Sequence, residues 1–204
     1  MSSLSDRELL AIILRSGYKG RPVLEMADEI LARDGGLQGL LTMSMEQIMQ
    51  LKGIKLAKAS ELLAACELVK RLSYSQIKGA DVISTPQTLI GWLQKAIGNM
   101  EQEYFVVVFL DSRNHVRGHE MLYKGSSRAV NIEARDIFTA AIRAQANRLI
   151  VAHNHPSQDP LPSGEDRTVT RELVQAGELM SMPVLDHLII SYDSYYSFRE
   201  HGGL

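Results

Sequence analysis

Cysteine is almost absent from this sequence of 204 residues, which contains Cys66 alone. One thiol cannot form a disulfide within the chain, and it cannot supply a zinc site built from several cysteines. Cys66 stands in an apolar segment with Ala65 and Val69, so we expect a buried cysteine on a helix.

Long hydrophobic runs are absent as well. A membrane-spanning helix needs about 18 or more apolar residues in succession, and no such stretch occurs. The first residues, Met-Ser-Ser-Leu-Ser-Asp, lack the cationic and apolar segments of a secretory signal, which favours a cytoplasmic location. Neither sign of charge dominates, because 22 Lys and Arg residues face 24 Asp and Glu residues. Any contact with DNA must therefore be local.

The residues that are present predict two domains. The first, residues 1–73, has helical periodicity throughout, with capping boxes at Ser5-x-x-Glu8 and Ser44-x-x-Gln47 and a helix from Leu56 to about Leu72. Residues 74–81 lack periodicity and are predicted to be a linker to a second domain, residues 82–204.

The second domain is predicted to be a mixed α/β (α+β) unit. Pro86 fits the first turn of a helix that reaches about Ile97, and residues 104–110 form a β-branched, aromatic strand. The other predicted elements are strands over residues 115–123, 148–152 and 184–191 and helices over residues 132–146 and 163–179.

Three residues of metal-ligand type follow the strand at 148–152. His153 and His155 stand two positions apart at a strand end, so their side chains point the same way. A proline-rich loop leads to Ser163, which opens a helix, and Asp166 lies one turn inside it. Two histidines and one carboxylate leave a fourth position for water, as in catalytic zinc sites. Ser163-x-x-Asp166 also fits a plain capping box, which is the structural alternative.

Other metal chemistries do not fit. A zinc deaminase requires Pro-Cys-x-x-Cys, and a zincin protease requires His-Glu-x-x-His, and both motifs are absent. In HNH nucleases the three named residues are dispersed over a longer motif, so the adjacent His-Asn-His triplet does not indicate that class.

The spacing resembles the JAMM, or MPN-plus, metalloprotease family, in which a glutamate is followed by His-x-His, seven residues, Ser, two residues and Asp. Here seven residues separate His155 from Ser163, and two separate Ser163 from Asp166. The runs Ala-His-Asn-His-Pro-Ser, Leu-Asp-His-Leu-Ile-Ile and Leu-Ser-Asp-Arg-Glu-Leu-Leu resemble the RadC branch over nearly the whole chain. Gln158 departs from the glycine usual there, and family members normally have a further short stretch before Leu4.

The resemblance implies an MPN-type sheet and one zinc ion per chain, with His153, His155 and Asp166 as ligands. It also implies a metal-dependent peptidase or isopeptidase that uses activated water, with a peptide or protein as substrate. Asp186 and His187 are interpreted as residues that support the site or fill the core.

The catalytic base is expected on a strand upstream of the His-x-His motif. Glu120 lies five residues before Gly125, as in the family pattern, so Glu120 is predicted to be the base. Glu133 begins the next helix and is more simply a favourable charge at a helix N-terminus. Ser163 is predicted to donate a hydrogen bond to the developing oxyanion.

The alternative function is DNA binding by the first domain, as a repair-associated protein with a structural or vestigial metal site. Residues 44–72 resemble a helix-hairpin-helix, whose backbone N–H groups hold a phosphate at a helix N-terminus. Lys52, Lys55 and Lys58 could supply charge, although Lys55 replaces the second glycine of the usual Gly-hydrophobic-Gly pattern that begins at Gly53. A helical interaction domain with a solvated lysine face is the third possibility.

Overall fold

The computed structural model describes residues 3–33, 35–124 and 133–204. The chain divides into two compact units, Met1–Leu72 and Ser73–Leu204. Across the described residues, no helix combines the length and the apolar character that crossing a lipid bilayer would require.

The first unit is helical, as its sequence predicts. Its helices are α1 (Asp6–Leu14), α2 (Val23–Leu31), α3 (Gly36–Gly39), α4 (Met45–Met49) and the larger part of α5 (Leu56–Ile77). Both predicted capping boxes are confirmed, because Ser5 and Ser44 each accept a hydrogen bond from the backbone N–H three residues later. The apolar faces of these helices bury a shared core, which includes Leu14, Met26 and Ile48.

The segment predicted to be a linker, residues 74–81, begins with the last turn of a helix. Helix α5 continues to Ile77, which is fully buried in the core of the second unit. Lys78 and Asp81 then form bridges with the start of a strand at Val116 and His115. Tyr74 and Ile77 stand one helical turn apart and pack together in this core. Two apolar residues among polar ones are too few to give a periodic pattern, so the sequence did not indicate a helix here.

The second unit contains a mixed five-stranded sheet. Its elements are α6 (Pro86–Ile97), β1 (Tyr104–Leu110), β2 (Val116–Lys124), α7 (Ala134–Arg143), β3 (Arg148–Asn154), α8 (Gly164–Leu179), β4 (Val184–Ile190) and β5 (Tyr195–Ser197). The strand order is β2-β1-β3-β4-β5, and the β3–β4 pair is parallel whereas the other pairs are antiparallel. The mixed α/β class is therefore confirmed, while β5 was not predicted.

Alternation along the strands sends apolar side chains to both faces of the sheet. Helix α6 covers one face through Leu89, Trp92 and Leu93. Helices α7 and α8 cover the other face, where Phe138 and Leu173 pack. The connection from β3 through α8 to the parallel strand β4 brings the end of β3 next to the start of α8, which is where the predicted metal ligands lie.

Candidate metal centre

His153 lies near the end of β3 and His155 directly follows the strand, as predicted. His153 is the sixth residue of the strand and faces the side covered by α7 and α8, opposite Phe105 of β1. Its side chain is only 2% exposed, whereas that of His155, just past the strand, is 17% exposed. One imidazole is therefore fixed within the core, and the other lies at the surface beside it.

Asp166 approaches these imidazoles from the first turn of α8. The predicted capping box is present: Ser163 Oγ accepts from Asp166 N at 3.1 Å, and Asp166 Oδ2 accepts from Ser163 N at 2.7 Å. Ser163 Oγ also lies 2.6 Å from the same carboxylate oxygen and donates its proton to it. The capping and metal interpretations of Asp166 are thus compatible, because the cap holds the carboxylate that faces the histidines.

Three potential ligand atoms converge at this point. His153 Nε2 lies 3.1 Å from His155 Nε2 and 3.1 Å from Asp166 Oδ1, and His155 Nε2 lies 3.5 Å from Asp166 Oδ2. His155 Nδ1 lies 2.7 Å from the carbonyl oxygen of Asp159. A carbonyl can only accept, so Nδ1 carries the proton in the neutral ring and Nε2 presents its lone pair to the centre. His153, His155 and Asp166 can therefore hold a metal ion.

The electrostatics of the centre favour a cation. Burial raises the pKa of Asp166, but the adjacent imidazoles of His153 and His155 outweigh this effect and hold that pKa far below its usual range. The hydrogen bond with Asp166 raises the pKa of His155, against the opposing effect of burial. A carboxylate that stays ionised beside two imidazole nitrogens offers negative charge and lone pairs to a positive ion.

Behind His153 lies a second, fully buried layer. His187 Nε2 is 2.9 Å from His153 Nδ1, and His187 Nδ1 is 2.7 Å from Thr170 Oγ1. His187 is 1% exposed, its side-chain partners are an imidazole and a hydroxyl, and burial lowers its pKa well below the ordinary value. A charged ring buried here would have no carboxylate in contact with it, so the ring is neutral. The side chain of Asp186 instead accepts hydrogen bonds from Ser197 Oγ and from the backbone N–H of Arg199. Of the two residues interpreted as supporting the site, only His187 contacts a ligand.

Sequence reasoning gave no role to two residues that anchor the ligand segment. Asn154, between the two histidines, is completely buried and holds the strand entrance by accepting from Tyr104 N and donating to two backbone carbonyls. Gln158 has a φ of 64°, the left-handed region that favours glycine. Its side chain donates to the carbonyl of Gly98 and accepts from Tyr192 N. The left-handed φ accounts for the glycine usual at this position in the resembled family.

The candidate bases lie outside the three-residue cluster. Glu120 pairs with Val107 of β1, which pairs with Val151, two residues before His153. Directly opposed residues share a sheet face, so Glu120 is on the same face as His153, one strand beyond β1. Glu133 is the N-cap of α7 and forms an ion pair with Arg135. Gly125, which served to choose between them, lies outside the described residues, and the role of Glu120 stays a prediction.

The comparison with known proteins identifies the family. Residues 83–203 match the family model of the RadC-like JAB domain, and residues 1–60 match that of the UPF0758 N-terminal domain. A UPF0758 protein of Thermotoga maritima is 42% identical over 203 residues, covering 99% of this chain and 91% of its own. One of Chloroflexus aurantiacus is 40% identical over 200 residues, covering 98% and 87%. The chain therefore belongs to the family of RadC-like JAB domain proteins that carry a UPF0758 N-terminal domain.

Proposed function

We propose that this protein is a zinc-dependent hydrolase that cleaves a peptide or isopeptide bond. The observation that carries the proposal is the convergence of His153 Nε2, His155 Nε2 and an Asp166 carboxylate oxygen at one point. Two imidazole nitrogens and one carboxylate suit zinc, and three protein ligands leave the fourth position that a catalytic site needs. A bound zinc ion would supply a water whose pKa is lowered to about 7.

Residues of this chain would then handle the protons. Glu120 would take a proton from the attacking water and later deliver it to the leaving amine. Ser163 would donate a hydrogen bond to the developing oxyanion. Since the Ser163 hydroxyl now donates to Asp166, that donation requires the hydroxyl to turn away from the carboxylate. Ser163 therefore supports Asp166 in one orientation and the oxyanion in the other.

The charge around the centre favours an amide over a phosphodiester substrate. Glu103 lies near enough to raise the pKa of His155, and Asp159 and Glu165 stand on the loop and on the first turn of α8. Carboxylates in this arrangement repel a phosphate backbone, whereas a neutral amide carries no net charge to repel. A peptide bond is the substrate that this surrounding admits most readily.

Elemental analysis and a cleavage assay test the proposal together. Protein purified without chelators should contain close to one zinc ion per chain, and the His153→Ala variant should contain little. The wild-type protein should cleave members of a peptide and isopeptide library, lose this activity on chelation, and regain it with added zinc. Failure of metal-free protein to take up zinc would reject the metal centre, and zinc uptake without any cleavage would reject the hydrolase.

DNA binding by the first unit is a second candidate, favoured by its helical hairpin. Helices α4 and α5 are joined by a turn in which Gly53 has a φ of 82° and packs so closely on Tyr18 that a Cβ would lie 2.6 Å from that residue's Cβ. Lys52 and Lys55 are exposed beside the start of α5, whereas Lys58 donates to the carbonyl of Ser16.

Electrophoretic mobility of a short duplex at two salt concentrations tests this candidate. Binding through lysine–phosphate contacts should weaken at the higher salt, because counterions are released on binding. The double variant Lys52→Ala, Lys55→Ala should weaken binding equally on unrelated sequences. Unchanged binding by that variant would exclude the hairpin as the contact.

A further inference from the structure

A continuous chain of hydrogen bonds runs from His153 at the candidate metal centre into the interior of the second unit. It passes from His153 Nδ1 to His187 Nε2 at 2.9 Å and from His187 Nδ1 to Thr170 Oγ1 at 2.7 Å. It ends where Thr170 Oγ1 meets the backbone carbonyl oxygen of Asp166 at 2.6 Å. His153, His187 and Thr170 are all at most 2% exposed, so no solvent is at hand to substitute for a missing partner.

The chemistry of the last contact determines the direction of every other one. A carbonyl oxygen only accepts, so the single hydroxyl proton of Thr170 is donated to Asp166 O. Thr170 Oγ1 must then accept from His187, which places the proton of the neutral His187 ring on Nδ1. His187 Nε2 is left with a lone pair and accepts from His153, whose proton is therefore on Nδ1.

The opposite direction leaves one contact without a proton. If the Thr170 hydroxyl donated to His187 Nδ1, two oxygen acceptors would face each other at 2.6 Å with nothing between them. His187 Nε2 would then donate to His153 Nδ1, and His153 would carry its own proton on Nε2. That tautomer cannot bind a metal ion through the atom that faces His155 and Asp166, since a protonated nitrogen has no lone pair to offer.

We propose that Thr170 and His187 form a positioning relay that holds His153 in the tautomer with a free Nε2 lone pair, ready for the metal ion. Both are positioning residues, because each acts through another side chain and neither reaches the metal. Asp166 takes part twice. Its backbone carbonyl accepts from Thr170 and so fixes which atom donates in each hydrogen bond of the relay, while its side chain is a ligand in the proposed site. The start of α8 therefore positions two ligands, one directly and one through His187.

The relay rests on the proposed function only in assuming that the ion bound by His153 is a metal. Partners of this kind around a metal-binding histidine typically contribute about 10- to 100-fold in metal affinity. We expect Thr170→Val, which keeps the shape of the side chain but removes the acceptor, to weaken zinc binding by about that factor. Thr170→Ser keeps the hydroxyl and is the matched control, with zinc affinity close to that of the wild type.

Nitrogen-15 NMR of the histidine rings shows which ring nitrogen carries the proton, and it requires no cleavage assay. Spectra of the full chain should show protonated Nδ1 and unprotonated Nε2 on His187, with and without zinc, and protonated Nδ1 on His153 when zinc is bound. Zinc affinity is measured for both variants by competition with a chromogenic chelator. A proton on His187 Nε2, or equal zinc affinity in Thr170→Val and wild type, would overturn the relay.

The outcomes separate the relay from the proposed function. Wild-type protein that binds zinc with the predicted tautomers but cleaves nothing would retain the relay and reject the hydrolase. If the wild type took up no zinc, both the metal centre and the relay's role in metal binding would be rejected. Should Thr170→Val fail to fold, the ring spectra of the wild type and of Thr170→Ser still decide the direction of the hydrogen bonds.

Discussion

The candidate metal centre and the helical hairpin both contain side chains that the sequence predicts to contact a ligand, but the two regions hold these side chains differently. At the centre, His155 is oriented by a backbone carbonyl, and Asp166 is held by the cap at the start of α8. In the hairpin, Lys52 and Lys55 are exposed, and the ammonium group of Lys58 is engaged by Ser16. Ligand atoms with fixed directions indicate a binding site much more strongly than flexible charges do.

The same contrast exists within the second unit, between the ligands and the predicted base. The three ligand atoms lie together, whereas Glu120 is an exposed strand residue on the same face but beyond β1. The most informative experiments are therefore those that measure metal binding and proton transfer separately.

The largest effect is expected from Glu120→Gln. This change keeps the size of the side chain but removes its basicity, and loss of a general base costs about 100- to 10,000-fold in turnover. Zinc content should be unchanged, since Glu120 is not a ligand. Turnover of a substrate found by library screening is compared with that of Glu133→Gln, which should stay active because Glu133 stands at the N-cap position of α7 and pairs with Arg135. If Glu133→Gln lost activity and Glu120→Gln kept it, Glu133 would be the base. Full activity in both variants would reject a glutamate as the general base.

Asp166→Asn is expected to raise the dissociation constant for zinc by about 100-fold or more, because a neutral amide is a much poorer ligand than a carboxylate. The amide oxygen can still accept from Ser163 N, so α8 should keep its cap, as circular dichroism can verify. Glu165→Gln removes the same charge from the same helical turn without removing a ligand and is the matched control. Equal weakening in both variants would show that charge alone attracts the ion.

Asn154→Ala tests whether the ligand strand depends on its buried amide. The change leaves Tyr104 N and two backbone carbonyls without their partner, which should lower the free energy of unfolding by about 2 kcal/mol. Trp92 is the only tryptophan and belongs to the second unit, so its fluorescence during urea unfolding reports on this unit. Gln102→Ala, which changes an exposed side chain in the same region, should remain within about 0.5 kcal/mol of wild type. A similar loss in both variants would assign the effect to the segment and not to the amide.

Local signals predicted most of the fold and the residues of metal-ligand type that converge in it, whereas contacts between distant segments could not be predicted. The strand Tyr104–Leu110 and the capping boxes follow from short patterns, as do His153 and His155 at a strand end. His187 is 34 residues from His153, and the two meet only because β3 and β4 pair in parallel. No pattern in the sequence gives that register, so the relay became visible only in the folded chain.

The smallest effect on stability is expected at Gln158, a residue with a side chain in the left-handed backbone conformation that favours glycine. Gln158→Gly and Gln158→Ala lose the same two hydrogen bonds, to Gly98 O and from Tyr192 N, so their difference isolates the left-handed φ of 64°. Alanine retains the strain of the left-handed backbone and glycine does not. We therefore expect the free energy of unfolding of Gln158→Gly to be about 1 kcal/mol higher than that of Gln158→Ala. Urea unfolding followed through Trp92 measures both.

A Gln158→Gly variant as stable as the wild type would show that the two hydrogen bonds of the glutamine offset the strain of its backbone. If Gln158→Gly were instead the less stable of the two variants, the greater freedom of glycine in the unfolded chain would outweigh relief of the strain. The left-handed φ would then not explain why glycine is usual at this position. Zinc affinity should change less than stability in both variants, because neither hydrogen bond of Gln158 involves a ligand residue.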